Sequence, residues 1–210
     1  WCPDLEFRRA VVKPELWESL QVEDYVQARY QQSLAEMPAL PGEALWERRR
    51  REVGWLSLNW FMSTLLDRKD RMSMAAGLEV RVPFCDHHLV EYVWNIPWAM
   101  KAMNGQRKQV LRDAAEGLLP EELLRRPKSP YPKTHDPLYE QLVRARLLTI
   151  LDDRDAPIHS LVDEKALRAG LLSDAGDYGK PWFGQLMAGP QMLAYLIQIN
   201  EWMSRYHLTV

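Results

Sequence analysis

Apolar and polar positions follow a helical period along most of this chain. Between Val22 and Met37 the apolar residues Val22, Tyr25, Val26, Tyr30 and Leu34 share one stripe, which predicts a helix. Met37-Pro-Ala-Leu-Pro-Gly42 is a cluster of breakers that ends it. A longer helix is predicted from about Glu43 to Leu66, with Leu45, Val53, Leu56, Trp60 and Thr64 or Leu65 facing inward. The period then falls to two. Leu78, Val80, Val82 and Phe84 alternate with Glu79 and Arg81, which predicts a short extended segment with Glu79 and Arg81 on one side. Asp86 suits the N-cap of a helix over His87–Trp94, whose buried stripe is Leu89, Val90, Val93 and Trp94.

The second half repeats the helical pattern. Asn104-Gly105 reads as a turn, followed by a helix from Gln106 to Glu116 that Gly117 closes at the C′ position. Further helices are predicted from Pro120 to Arg126, from Pro137 to Leu151, from Val162 to Leu172 and from Pro190 to Tyr206. The last carries Met192, Tyr195, Leu196, Ile199, Trp202, Met203 and Tyr206 on its inner stripe. Residues Trp1–Leu20 read as an irregular lead-in, Asp152–Pro157 as a solvated turn, and Ser173–Gly179 as the most flexible stretch. There is no internal repeat and no low-complexity tract. The pattern predicts a mainly α fold.

Composition narrows the class. A chain of 210 residues with 47% hydrophobic content can bury a sizeable core in one domain. A net charge of −2 gives no reason to expect nucleic-acid binding. Nine tryptophans favour a packed domain over a disordered one. Two cysteines, Cys2 and Cys85, do not make a disulfide framework and fit a reducing compartment. No apolar run approaches a membrane span and no signal-peptide pattern is visible, so a cytoplasmic protein without membrane partners is expected. The first residue is Trp1, which predicts that the chain begins inside a longer polypeptide.

Several residues carry candidate chemistry. The run Arg48–Arg51 could grip phosphate, but successive helical residues point about 100° apart, so four in a row fan around the axis and read as a solvated face. Cys85, His87 and His88 lie close in sequence, yet adjacent histidines diverge on a helix and no second ligand cluster follows; no metal site is expected. Glu79 and Arg81 can form an active-site wall or a partly buried ion pair that fixes the backbone. Lys128 follows the Pro120–Arg126 helix and sits among Pro127, Pro130 and Pro132. Proline fixes φ and removes a donor, so the lysine lies on a stiffened loop. Held there, it can aim a fixed positive charge at a developing negative one. The plainer reading of the same stretch is a surface lysine in a turn.

Context weighs on that choice. The stretch Asp67-Arg68-Lys69-Asp70-Arg71-Met72-Ser73-Met74-Ala75-Ala76-Gly77-Leu78-Glu79-Val80-Arg81-Val82-Pro83-Phe84-Cys85-Asp86 resembles the D-R-x-x-M-A-x-G-x-E-x-R-x-P-F-x-D signature of the glutamine-hydrolysing (class B) asparagine synthetases. The resemblance continues through Gly105-Gln-Arg-Lys108-Gln-Val-Leu111-Arg112, Leu118-Leu119-Pro120-Glu121 and Arg126-Pro127-Lys128. Lys128-Ser-Pro-Tyr-Pro-Lys-Thr-His135 and Pro181-Trp-Phe-Gly-Gln-Leu186 look similar to a bacterial branch of that family.

The resemblance implies the following. Residues 1–210 are the helical C-terminal half of an adenine-nucleotide α-hydrolase-like (ATP-pyrophosphatase) synthetase domain, without its parallel-sheet core. The full-length protein is an amidotransferase that uses ATP and Mg²⁺ to adenylate aspartate, with ammonia released from glutamine by an N-terminal glutaminase domain as the attacking group. Lys128 matches a catalytic lysine; Glu79, Arg81, Arg68 and Asp70 fall where an active-site wall or its structural support would lie. The family's pyrophosphate loop, S-G-G-x-D-S, and its S-D-E-x-x-x-G-Y segment are not present in this sequence, so the 210 residues alone are expected to be inactive and to hold no tight cofactor. Partners are then the protein's own N-terminal domains and further copies of itself. Two rivals remain: an acyl-adenylate cyclase of the β-lactam or lasso-peptide type, and a non-enzymatic helical interaction domain.

Overall fold

The computed structural model describes residues 5–102, 105–129, 136–170 and 189–210. The sequence expectations for Trp1 and Cys2, for Asn104, for Pro130–His135, for Ser173–Gly179 and for Pro181–Leu186 lie outside the described residues. The helices are α1 (Leu5–Val11), α2 (Pro14–Ser19), α3 (Val22–Ala35), α4 (Leu45–Leu56), α5 (Ser63–Ala75), α6 (His87–Trp94) and α7 (Trp98–Lys101). They continue with α8 (Gln109–Ala114), α9 (Glu121–Arg125), α10 (Pro137–Asp152), α11 (Glu164–Ala169) and α12 (Gly189–Tyr206). No strand occurs among the described residues; an isolated antiparallel bridge joins Val12 to Val162. The mainly α expectation holds.

The chain divides into two compact units, Trp1–Ser33 with Pro132–Val210, and Leu34–Tyr131. The first unit is therefore discontinuous in sequence.

In the first unit, α10 and α12 pack together around Leu147, Ile150, Leu151, Met192, Leu193 and Leu196. Asp136 caps α10 by accepting from the Leu138 amide at 2.9 Å, and Pro137 sits at the first helical position, where a missing N–H costs nothing. Asp163 caps α11 in the same way through the Ala166 amide. The buried stripe of α12 runs through Met192, Leu193, Leu196, Asn200 and Met203, while Tyr195, Trp202 and Tyr206 are exposed. The predicted stripe was thus right at Met192, Leu196 and Met203, and at Ile199, which is partly buried against the core; it was rotated toward its aromatic flank at Tyr195, Trp202 and Tyr206, because large amphipathic rings suit a helix shoulder as well as a core. Asn200 is buried, and its Oδ1 accepts from the Ile158 amide at 3.2 Å.

The predicted irregular lead-in is corrected here. Its middle forms α1 and α2. Pro14 starts α2 at N1 rather than breaking a helix. Trp17 is buried and its indole N–H donates to both carboxylate oxygens of Glu23 at 2.9 Å. The Lys13 amide donates to the Leu161 carbonyl and the Asp163 amide to the Val11 carbonyl, each at 2.9 Å, so the start of the chain is stitched to its last third.

In the second unit, the predicted long helix continues past Leu66. From Leu45 to Ala75 the chain stays helical, with a π-helical stretch over Ser57–Met62 between α4 and α5. A π turn takes one extra residue, so it shifts the inward face relative to a pure 3.6 period. Of the predicted inward residues, Leu56 and Leu65 are half-buried, with Trp55, Leu58, Phe61 and Met62 beside them, whereas Leu45, Val53 and Trp60 are exposed. Gly77, at φ 71°, ends α5 in a Schellman motif: its amide reaches the Met74 carbonyl and the Leu78 amide reaches the Ser73 carbonyl. Residues 78–82 then run without regular structure into the 3₁₀ turn Pro83–Cys85. Asp86 caps α6 through the His88 amide at 2.9 Å, as expected. Gly117, at φ 75°, lies within the turn after α8, one residue beyond the C′ position predicted for it. Among the buried apolar side chains described, Met37 alone belongs to this unit.

Candidate active site

Lys128 lies in the non-helical segment after α9 and is exposed. It lines a hollow of about 710 Å³ within the second unit. Two segments build that hollow. One is the turn into α8 and α8 itself; the other is α9 and the residues that follow it. Leu111, Ala115, Leu119, Leu123 and Leu124 supply apolar lining, and the basic residues Arg107, Lys108, Arg112, Arg126 and Lys128 supply the charge. Among the described residues no carboxylate lines it. None of the five basic residues forms an ion pair among the described residues.

The local reasons are legible. Arg125, next to this group, pairs with Glu121 one turn earlier, and that pairing raises its pKa. Arg126 is the C-cap of α9, and Pro127 stops the helix from continuing. Lys108 adopts a left-handed conformation at φ 59° as the N-cap of α8, which trims the helix predicted from Gln106 to Gln109–Ala114. A non-glycine residue there carries strain. Concentrating five positive side chains without counter-charge suits an anionic ligand.

The other predicted site residues lie elsewhere in the unit. Arg68 and Asp70 are exposed on α5, and Glu79 and Arg81 follow in the extended segment. Arg81 Nε donates to Glu79 Oε1 at 3.1 Å, with side chains 84% and 67% exposed, so this ion pair stands in solvent and not partly buried. None of these four lines the hollow around Lys128. Sequence reading missed Arg107, Lys108, Arg112 and Arg126 as companions of Lys128. The available signal was the density of basic residues in the two short motifs flanking α8 and α9, once Arg125 was discounted as an i, i+4 partner of Glu121.

A second hollow of about 650 Å³ is lined by Trp94, Trp98, Val90, Val93, Arg51 and Lys101 among others. It sorts the four arginines of α4. Arg48 and Arg49 pair with Glu52, and Arg50 lies over the Trp46 and Trp98 rings. Arg51 bonds Glu43 at 2.6 Å with side chains only 13% and 6% exposed, and stacks over Trp94. The solvated face thus holds for three of the four. Cys85 Sγ lies 3.6 Å from Met62 Sδ, and the His87 and His88 rings stack at 3.8 Å. Among the described residues no three His, Cys, Asp or Glu side chains come together as metal ligands, and no helix is long and apolar enough to cross a membrane.

Comparison with known proteins agrees with this arrangement of motifs. Residues 3–204 match the family model described as asparagine synthase. The chain is 48% identical along its whole length to glutamine-hydrolysing asparagine synthetase 3 of Bacillus subtilis, of which it spans 34%. It is 42% identical over 73 residues, 35% of the chain, to asparagine synthetase 1 of the same organism, and 43% identical over 67 residues, 30% of the chain, to the human glutamine-hydrolysing asparagine synthetase; each match covers 12% of the relative. With the motifs, the helical architecture and a match over nearly every residue in agreement, the chain belongs to the asparagine synthase family.

Proposed function

We propose that this chain is the helical C-terminal part of the synthetase domain of an ATP-dependent amidotransferase that makes asparagine from aspartate. In that reading, a β-aspartyl-adenylate is attacked by ammonia derived from glutamine. The observation that carries it is the hollow in which Lys128 lies with four other basic side chains and no carboxylate. The hollow joins three stretches of the sequence resemblance that are separate in the chain, those around Arg112, Leu119 and Lys128.

The residues fit a polyphosphate anion. They do not fit a metal, since no carboxylate among the described residues lines the hollow, so any Mg²⁺ would be held by groups outside the hollow. ATP supplies the activated phosphoryl centre when bound. Lys128 then holds its ammonium where charge grows as the aspartate carboxylate attacks, and again as ammonia adds to the activated carbonyl. An ammonium is a point charge, so it tolerates the change between those two geometries better than a planar guanidinium would. Arg107, Lys108 and Arg126 raise the local positive potential around it. Glu79 and Arg81 are proposed as a wall or support of the same site in the complete domain. A cytoplasmic setting supplies ATP, aspartate and glutamine together.

The test is Lys128→Ala in the whole protein that carries this chain. Asparagine formation should fall about 10²–10³-fold, the usual loss of one preorganised donor. Glutamine hydrolysis and helical content should stay at the parent level, because an exposed loop lysine leaves no cavity. Lys128→Arg should rescue poorly. Turnover of Lys128→Ala within about threefold of the parent would return Lys128 to an ordinary surface lysine.

A further inference from the structure

The segment that carries Lys128 is tied down by one side chain. Arg112 lies in the last turn of α8 and is half-buried. Its Nε donates to the Arg107 carbonyl at 3.1 Å, and its Nη2 donates to the Arg126 carbonyl at 3.4 Å. Both acceptors stand where the chain turns. The Arg107 carbonyl leads into Lys108, the left-handed residue that starts α8. The Arg126 carbonyl closes α9 and precedes Pro127, which has no N–H with which to extend a backbone ladder.

We propose that Arg112 is a positioning residue for Lys128: one guanidinium clamps the segment 126–128 to the turn 107–108 and so sets where the Lys128 ammonium sits in the hollow. Two properties make arginine the side chain for this task. Its forked, rigid donors can reach two carbonyls at once, which a lysine ammonium on a flexible stem cannot hold in fixed geometry. Its bonds are charge-assisted, so they oppose the mutual repulsion of the cations around the hollow. The cluster would otherwise push its own two segments apart. The carbonyls spend the Arg112 donors on backbone, which makes Arg112 unlike the four basic residues around it. This inference rests on the reading of Lys128 as a charge supplied in the transition state.

The experiment is Arg112→Lys in the whole protein, alone and combined with Lys128→Ala. The lysine variant keeps the net charge of the hollow and loses the bridge. Turnover should fall between about tenfold and a hundredfold, as expected when a reacting group is misplaced by about 1 Å. The KM values for ATP and aspartate should stay within about threefold, because the clamp touches backbone and not substrate. On the Lys128→Ala background the same substitution should cost no more than about twofold, since the group it positions is gone. Parent-like turnover of Arg112→Lys, a rise in KM in place of the loss of turnover, or additive losses would each overturn the clamp. If Arg112→Lys does not fold, Arg112→Gln serves, because its amide reaches one carbonyl only; loss of the far-UV helical signal in both would overturn the proposal in favour of a purely structural arginine. Parent-like activity of Lys128→Ala would instead sink the reading of Lys128 itself, so the two failures are distinguishable.

Discussion

Lys101 brings a positive charge to the tryptophan-lined hollow of the second unit. It is half-buried, donates to the Trp94 carbonyl at 3.2 Å and lies 5.1 Å from the Trp98 ring centre. Burial, and then the nearby charge of Arg51, lower its pKa below the ordinary lysine value of 10.5. The unfolded chain therefore binds more protons between the lowered value and 10.5, and stability contributed by this site rises with pH across that window. Lys101→Met should abolish that alkaline rise. Urea midpoints of parent and variant, compared between about pH 8 and about pH 10.5, read the difference directly. A parent curve that runs parallel to the variant's would refute it. At this scale the sequence was informative where a side chain acts through its own backbone. Asp86 was legible as a cap because a cap is a local event. Arg51 was not, because its partner Glu43 and its neighbour Trp94 come from separate segments.

Among elements, the helix that carries the first motif is the informative case. Its glycine, Gly77, is a stop signal: at φ 71° it lets two amides fold back onto the carbonyls of Ser73 and Met74. A Cβ added there would meet nothing within 4 Å, so any cost of Gly77→Ala is conformational and not steric crowding. We expect a loss of about 1–2 kcal/mol, the usual penalty for an L-residue held left-handed. Chemical denaturation checks it, and the segment 78–82 should show faster amide exchange. An unchanged denaturation midpoint would mean that the helix end has another anchor. Most helices were readable from their period and caps; α10 and α12 match the expected spans to within a residue. The phase of the helix beyond α4 was not, because the π stretch over Ser57–Met62 inserts a residue that no periodic template anticipates. The lead-in was misread for the opposite reason. Pro14 counted as a breaker in sequence, but at N1 it starts a helix.

For the molecule as a whole, the two units differ in what they bury. The first has a core of Leu147, Ile158, Leu167 and Leu193, all fully enclosed. The second leaves Leu45, Trp46, Trp60, Met72, Leu78 and Phe84 exposed, and among the buried apolar side chains described it owns Met37 alone. Helices with apolar faces need a second layer to cover them. The 210-residue chain should therefore bind an apolar dye strongly and self-associate as its concentration rises. Sedimentation and dye fluorescence provide the check; a monomer at high concentration that leaves the dye dark would show that the surface is tolerated bare. The hollow of Lys128 was half-visible from sequence for a related reason. Its motifs were recognisable, but their convergence belongs to the fold of α8 against α9.

The discontinuity of the first unit also has a cost in time. On a ribosome, the backbone bonds that join α1 and α2 to the last third of the chain cannot form as these helices emerge, because Val11 and Lys13 find their partners at Asp163 and Leu161. At about 5–20 residues per second, the intervening stretch delays that closure by roughly seven to thirty seconds. Those backbone bonds stay unmade for the whole of that wait, and a synonymous change that slows translation within residues 34–131 would lengthen it without altering one side chain.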